Sequence, residues 1–182
     1  MPVLYTTADG LQFAASDETL LVLGYTLALE LITDRTQADV DRWRELRDKL
    51  PDLTAAERAE WFGTMKGRYT HDDMNRVEGA VEYLCDEFLD RGYITEALDV
   101  KIDWNLWSVP TRTDMGRYLG NIAKLRGVLR LHDSTPAVPS VNDKLDWRKA
   151  NDIEQILVDI EDMMLKIDQS WHYAGELYSG EV

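Results

Sequence analysis

The sequence predicts a mainly α protein: a bundle of four to five capped amphipathic helices behind a small N-terminal β element. Three observations predict it. A helix-start pattern recurs along the chain, apolar residues follow each start at helical spacing, and the opening residues alternate with a period of two instead.

The recurring pattern is clearest in YTHDDMNRVEGAVEYL, residues 69–84, and PTRTDMGRYLGNIAKL, residues 110–125. Counted from Thr70 and Thr111, both have Asp at offset three, Met at four, Arg at six, Gly at nine and Leu at fourteen. The same template fits Thr36, Asp39, Val40 and Arg42, with Leu50 at offset fourteen. A degenerate copy starts at Asp146 and keeps Asn151, Ile153, Glu154, Leu157 and Ile160 in the places of Asn75, Val77, Glu78, Val81 and Leu84. Threonine with an acid three residues later is a capping box: the hydroxyl meets an orphan N–H of the first turn, and the carboxylate reaches back toward the cap. Thus Thr36/Asp39, Thr70/Asp73 and Thr111/Asp114 each predict a helix start, and Thr54 with Glu57 predicts a short one over AAERAEWF. The arginines at offset six, Arg42, Arg76 and Arg117, are placed to pair with the capping Asp three residues earlier.

Behind each cap the apolar residues form a stripe. In the second copy it is Met74, Val77, Val81, Leu84 and Phe88, and in the third Met115, Tyr118, Ile122, Leu125 and Leu129. The last copy runs Ala150, Ile153, Leu157, Ile160, Met164, Ile167 and Trp171. Such 3-4 spacing is the seam of packed antiparallel helices or of a coiled coil. Arg91-Gly92, Gly127 and His132-Asp133 read as stops, and the PAVP run at 136–139 as a rigid loop.

The first 34 residues differ. Leu21, Leu23, Tyr25, Leu27, Leu29 and Leu31 alternate with Gly24, Thr26, Ala28 and Glu30, which predicts a strand, with a helix over 18–32 as the alternative. Asp9-Gly10 reads as a hairpin turn, so a three-stranded element is expected. The expected division is a β-rich element over 1–34, the helix bundle over 35–172 and a tail over 173–182.

Charge and composition narrow the functional classes. Asp and Glu number 34 against 20 Lys and Arg, giving a net charge of −14 that disfavours nucleic acid and anionic membranes as partners. The longest apolar run contains Glu30 and is too short to insert in a membrane. Cys85 is the sole cysteine, and its neighbour Leu84 puts it at the core edge. His71, His132 and His172 have no metal-binding spacing, and no nucleophile elbow or glycine-rich phosphate loop occurs. A hydrolase using carboxylates such as Asp72 and Asp73 has no spacing that requires it. No catalytic, metal or cofactor-binding residue is therefore expected.

The candidates that remain concern contact. Gly79, Gly116, Gly120 and Gly127 fall opposite the apolar stripe, either as small residues tolerated on an exposed face or because another helix, from this chain or a partner chain, approaches closely there. Trp104 and Trp107 in WNLWSVP either cap the bundle or form an aromatic anchor or sugar platform, and Tyr173 and Tyr178 offer an aromatic tail.

The run from Thr70 to Glu78, T-H-D-D-M-N-R-V-E, resembles the T-x-x-D-[FLM]-N-R-[IV]-E helix start of tail, baseplate and tail-fibre proteins from phages and prophages of Gram-positive bacteria. The order of TDRTQADVDRWREL, LTAAERAEWFGTMKGRYTHDDMNRVE, VKIDWNLWSVPTRTDMGRYLGNIAKLR, DKLDWRKANDIEQIL and YSGE is similar to such a family over roughly residues 33–180. The resemblance implies a structural virion part without catalytic residues, assembled in the host cytoplasm with other tail proteins; the glycine face of Gly116 and Gly120 and an open strand edge add the expectation of a homo-oligomer. A host-surface glycan contact through Trp104, Trp107 and the C-terminal tyrosines is the alternative.

Overall fold

Thr36, Thr54, Thr70 and Thr111 all have extended backbone at a helix start, and each donates its N–H to the carboxylate three residues on, at 2.7–2.9 Å. In the computed structural model α1 (Gln37–Asp48), α2 (Ala55–Phe62), α3 (His71–Asp90) and α4 (Arg112–Arg126) begin at these caps. The fifth helix, α5 (Trp147–Ser179), follows Asp146, whose Oδ1 accepts the Lys149 N–H at 3.0 Å. The structure describes residues 3–6, 12–15 and 29–179, with side chains from 29 to 170.

The mainly α bundle read from the sequence is what forms, because the stripes supply the core. Met74, Val77, Val81, Leu84 and Phe88 of α3 are all buried, as are Tyr118, Ile122 and Leu125 of α4 and Ala150, Ile153, Ile156, Leu157 and Ile160 of α5. Cys85 is buried, and its Sγ accepts the Leu98 N–H at 3.3 Å.

Helices α1 and α2 are joined by a turn containing a cis Leu50–Pro51 bond. Trp43 and Trp61 stack across the pair with centroids 6.4 Å apart, and Arg42 grips Glu60 through Nε at 2.9 Å and Nη2 at 2.6 Å. Lys49 bridges Glu45 and Glu57, and its ammonium holds the Glu57 carboxyl down to about 2.

The stop expected at Arg91-Gly92 is a complete Schellman motif. Tyr93 N–H donates to the Phe88 carbonyl at 2.8 Å and Gly92 N–H to that of Leu89 at 3.0 Å. The motif needs a left-handed residue, supplied by Gly92 at φ +71°, and the Phe88 and Tyr93 rings meet edge-on at 5.8 Å.

Contacts divide the chain into two units, one of residues 31–163 and the other of 1–30 with 164–182. In the second unit β1 (Val3–Thr6) pairs antiparallel with β2 (Gln12–Ala15), Val3 opposite Ala15. The Asp9-Gly10 turn and the strand expected over the following leucines lie outside the described residues, apart from residues 29–31, which have no regular structure.

Candidate functional site

The repeat does more than cap helices. Its offsets five and eight are Asn75 and Glu78 in α3, and Asn151 and Glu154 in α5; three residues apart, each pair shares one helix face. Each pair clasps a segment of backbone that has no regular structure of its own. Asn75 Oδ1 accepts the Trp104 N–H at 2.8 Å while its Nδ2 donates to the Trp104 carbonyl at 2.9 Å. Asn151 holds Arg35 in the same way, at 3.1 and 2.9 Å. One side chain thus substitutes for a strand neighbour and satisfies both polar groups of a residue outside any ladder.

The glutamate completes each clasp. Glu78 accepts the Lys101 N–H at 3.0 Å, three residues before Trp104, and the Trp104 Nε1–H at 3.2 Å. Glu154 accepts the Ile32 N–H at 2.6 Å, three residues before Arg35, and the Arg35 Nη2–H at 2.6 Å. An offset-six arginine from another copy then closes the site. Arg117 of α4 donates to both Glu78 oxygens, and Arg76 of α3 donates to both Glu154 oxygens at 3.0 and 3.2 Å. Arg117 Nη1 and Asn121 Nδ2 also hold the Asp99 carbonyl, fixing the far end of that segment. The clasped residues lead toward the next caps, Thr36 and Thr111.

This geometry corrects the local pairing expected of the arginines. Only Arg76 reaches its capping Asp, at 2.6 Å to Asp73 Oδ1. Arg42 pairs with Glu45 and Glu60, and Arg117 with Glu78. In all three boxes one Asp oxygen is engaged by the threonine N–H and hydroxyl, and Arg76 reaches Asp73 through the other oxygen. Glu78 is buried, so its charge is less screened by solvent and it is the stronger partner for Arg117 even while it accepts the Lys101 and Trp104 N–H groups. Arg35 was not among the expected site residues, yet it is buried and bridges Asp73 at 3.0 Å and Glu154 at 2.6 Å. Glu78, Glu154 and Asp73 are likewise buried.

The expected contact residues separate. Trp104 is only 5% exposed, with its ring edge hydrogen-bonded to Glu78, so it is an internal anchor and no surface platform. Trp107 is 91% exposed and Leu106 81%, with Val109 and Ile102 also exposed. They ride on a fixed turn: Ser108 N–H donates to the Asn105 carbonyl at 2.9 Å, and Trp107 N–H to Asn105 Oδ1 at 3.0 Å. A Cβ added at Gly79, Gly116 or Gly120 would meet nothing within 4 Å, so no described segment makes the close approach expected there. Gly127 faces only the terminal carbonyls of its own helix. The side chains of Tyr173 and Tyr178 lie outside the described residues.

Among the described residues no cluster of His, Cys, Asp and Glu could hold a metal ion, and no helix is long and apolar enough to cross a membrane. No protein-family model, curated protein or solved structure matches the chain.

The network makes stability depend on acid. Burial pushes the Asp73 carboxyl up, but hydrogen bonds from Arg76 and the Thr70 N–H, with the charges of Arg76 and Arg35, outweigh it and hold the group below the ordinary aspartate range. A depressed carboxyl stabilises the fold fully above its unfolded pKa of about 3.9 and loses that contribution as pH falls through the folded value. Urea unfolding followed between pH 6 and pH 2 (roughly the span in which carboxylates titrate) should show stability falling below about pH 4, less steeply in Asp73→Asn. An equally steep acid limb in the variant would exclude Asp73 as a contributor.

Proposed function

We propose that this chain is a structural component of a bacteriophage tail, at the tip, baseplate or fibre, acting through protein–protein assembly. The observation that carries the assembly role is the fixed turn presenting Leu106, Trp107 and Val109 to solvent between a buried anchor at Trp104 and the cap at Thr111. Large apolar side chains held rigidly outward lose little conformational freedom when a partner covers them, and a tryptophan there is a typical interface hot spot. The tail assignment is supported by the resemblance of Thr70–Glu78: the letters Asn75, Arg76 and Glu78 that carry it are those that build the clasps. The partners in this reading are other tail proteins and further copies of the chain, joined in the bacterial cytoplasm before the particle is released.

A receptor- or glycan-binding role would have to rest on Trp107 without Trp104, which is buried. Immunogold labelling of purified particles tests the tail assignment. Label at the tail end supports it; clean unlabelled particles, with the protein left soluble in the lysate, sink it. Trp107→Ala should keep its unfolding free energy within about 0.5 kcal/mol of the parent, as surface substitutions do. Its incorporation into particles should fall at least about tenfold, since a hot-spot tryptophan contributes about 2 kcal/mol or more. Normal incorporation would remove the turn from the assembly surface.

A further inference from the structure

With 34 acidic and 20 basic residues, a surface cavity taken at random on this chain should carry more acids than bases in its walls. One cavity of about 330 Å³ reverses this. Its walls come from the α1 entry, the turn before α3 and the start of α5; they carry Arg35, Arg44, Lys66, Arg68, Lys144 and Arg148 against one acid, Asp146. Half of these cations are already neutralised. Arg35 is held by Asp73 and Glu154, Lys66 by Asp34 at 2.6 Å, and Arg44 by Asp41 at 3.1 Å.

The other three are not. Arg68 donates to a neutral acceptor, the Gly63 carbonyl, and Arg148 lies over the Trp147 ring at 4.7 Å. Lys144 Nζ has no hydrogen-bond or ion-pair partner among the described residues. Three free positive charges less the Asp146 carboxylate leave a surplus of two. The first residues of α5, Trp147 and Arg148, stand in the wall, and the Asp146 carboxylate caps that helix end by accepting the Lys149 N–H. Tyr69, Trp147, Val40 and Leu145 give the cavity an apolar side as well. A dianion joined to a small organic body matches both walls, and the volume lies at the lower end for a small-molecule site.

The geometry points to a binding site for a phosphate group in this cavity, held by Arg68, Lys144 and Arg148. It goes beyond the assembly role and does not depend on it. The phosphate could be free, a monoester on a small molecule or a diester within a polymer.

Titration of the full chain with inorganic phosphate at low ionic strength, by calorimetry and by the Trp147 indole N–H resonance, tests the site. That N–H donates to Gln37 Oε1 at 3.2 Å and so reports on the cavity wall. Saturable binding with Kd on the order of 1 mM is expected, weakened at least about tenfold in Lys144→Ala/Arg148→Ala because each removes a charge-assisted contact. Both positions are largely solvent-facing, and circular dichroism checks that the variant folds. Lys124→Ala, an exposed cation on α4, should bind as the parent does. Glucose 6-phosphate and glycerophosphoglycerol then separate the sources: tighter binding of the first assigns a monoester, of the second a diester, and of neither free phosphate. Non-saturable titration, or equal affinity in the double variant, overturns the site.

Discussion

Replacing Glu154 with alanine should lower the unfolding free energy by about 3–5 kcal/mol, the cost of breaking a buried ion pair from one side. Glu154 is fully buried and accepts four hydrogen bonds, from Ile32 N–H, Arg35 Nη2 and both Arg76 Nε and Nη2. With Arg35, Arg76 and Asp73 it forms a set of two positive and two negative groups. Without it, two guanidinium groups share a single carboxylate, and the Ile32 N–H loses its acceptor. A buried unpaired charge costs far more than the net worth of the pair, which is why a one-sided deletion is so damaging. Since a domain of this kind is stable by only about 5–15 kcal/mol, the loss is roughly a fifth or more of the total. Urea unfolding of Glu154→Ala, Arg76→Ala and the double variant measures it. The double variant should lose less than the two single losses added together, because each single variant leaves a partner stranded. Amide exchange at residues 31–36 should rise in Glu154→Ala as the clasp opens. A loss below about 1 kcal/mol, the range of exposed pairs, would show that the network is only a surface arrangement.

The helices and their faces were legible because their causes are local. A threonine and an acid three residues apart can satisfy each other without help from distant residues, and the four pairs read as caps, at Thr36, Thr54, Thr70 and Thr111, all start helices. The stripe from Met74 to Phe88 needs only the helical period, and every member is buried. The clasps were not legible for the opposite reason. Arg35 meets Asp73 across 38 residues and Glu154 across 119, and nothing near Arg35 announces either partner. In a chain with 34 acids, Glu78 and Glu154 look like any solvated carboxylate. One signal was present: in both copies an asparagine stands three residues before the glutamate, a coupling that a helix surface does not require. Trp104 and Trp107 show a different limit. They sit three residues apart in a segment without regular periodicity, so no pattern says which ring turns inward. The decision comes from Asn75, which fixes the Trp104 backbone and aims its indole at Glu78.

Gly67→Ala should be the second most damaging substitution, and its effect has a steric cause instead of an electrostatic one. A Cβ at this position would stand 2.0 Å from the Asp39 carbonyl oxygen, 2.5 Å from its carbon and 2.9 Å from Val40 N. All three are backbone atoms of the first turn of α1, so no side-chain rotation relieves the overlap. Either α1 moves or the 66–69 turn does. The first disturbs the Thr36–Asp39 capping box; the second pulls on Lys66, paired to Asp34, and on Tyr69, whose hydroxyl meets that of Tyr118 at 2.6 Å. Overpacking of this kind costs about 1–3 kcal/mol when side chains can yield, and the backbone contact places Gly67→Ala at about 3 kcal/mol or more. Gly79→Ala and Gly120→Ala provide the contrast, because open space surrounds both positions. Removing a glycine from a helix interior there should raise stability by about 0.5–1 kcal/mol. Opposite signs at Gly67 and Gly79 in thermal unfolding would establish that close backbone approach, not helix propensity, fixes glycine at 67. A Gly67→Ala midpoint equal to the parent's would show that α1 does not press on this turn in solution. If Gly79→Ala or Gly120→Ala is more stable yet fails to enter particles, the open glycine face is the place where a second chain approaches.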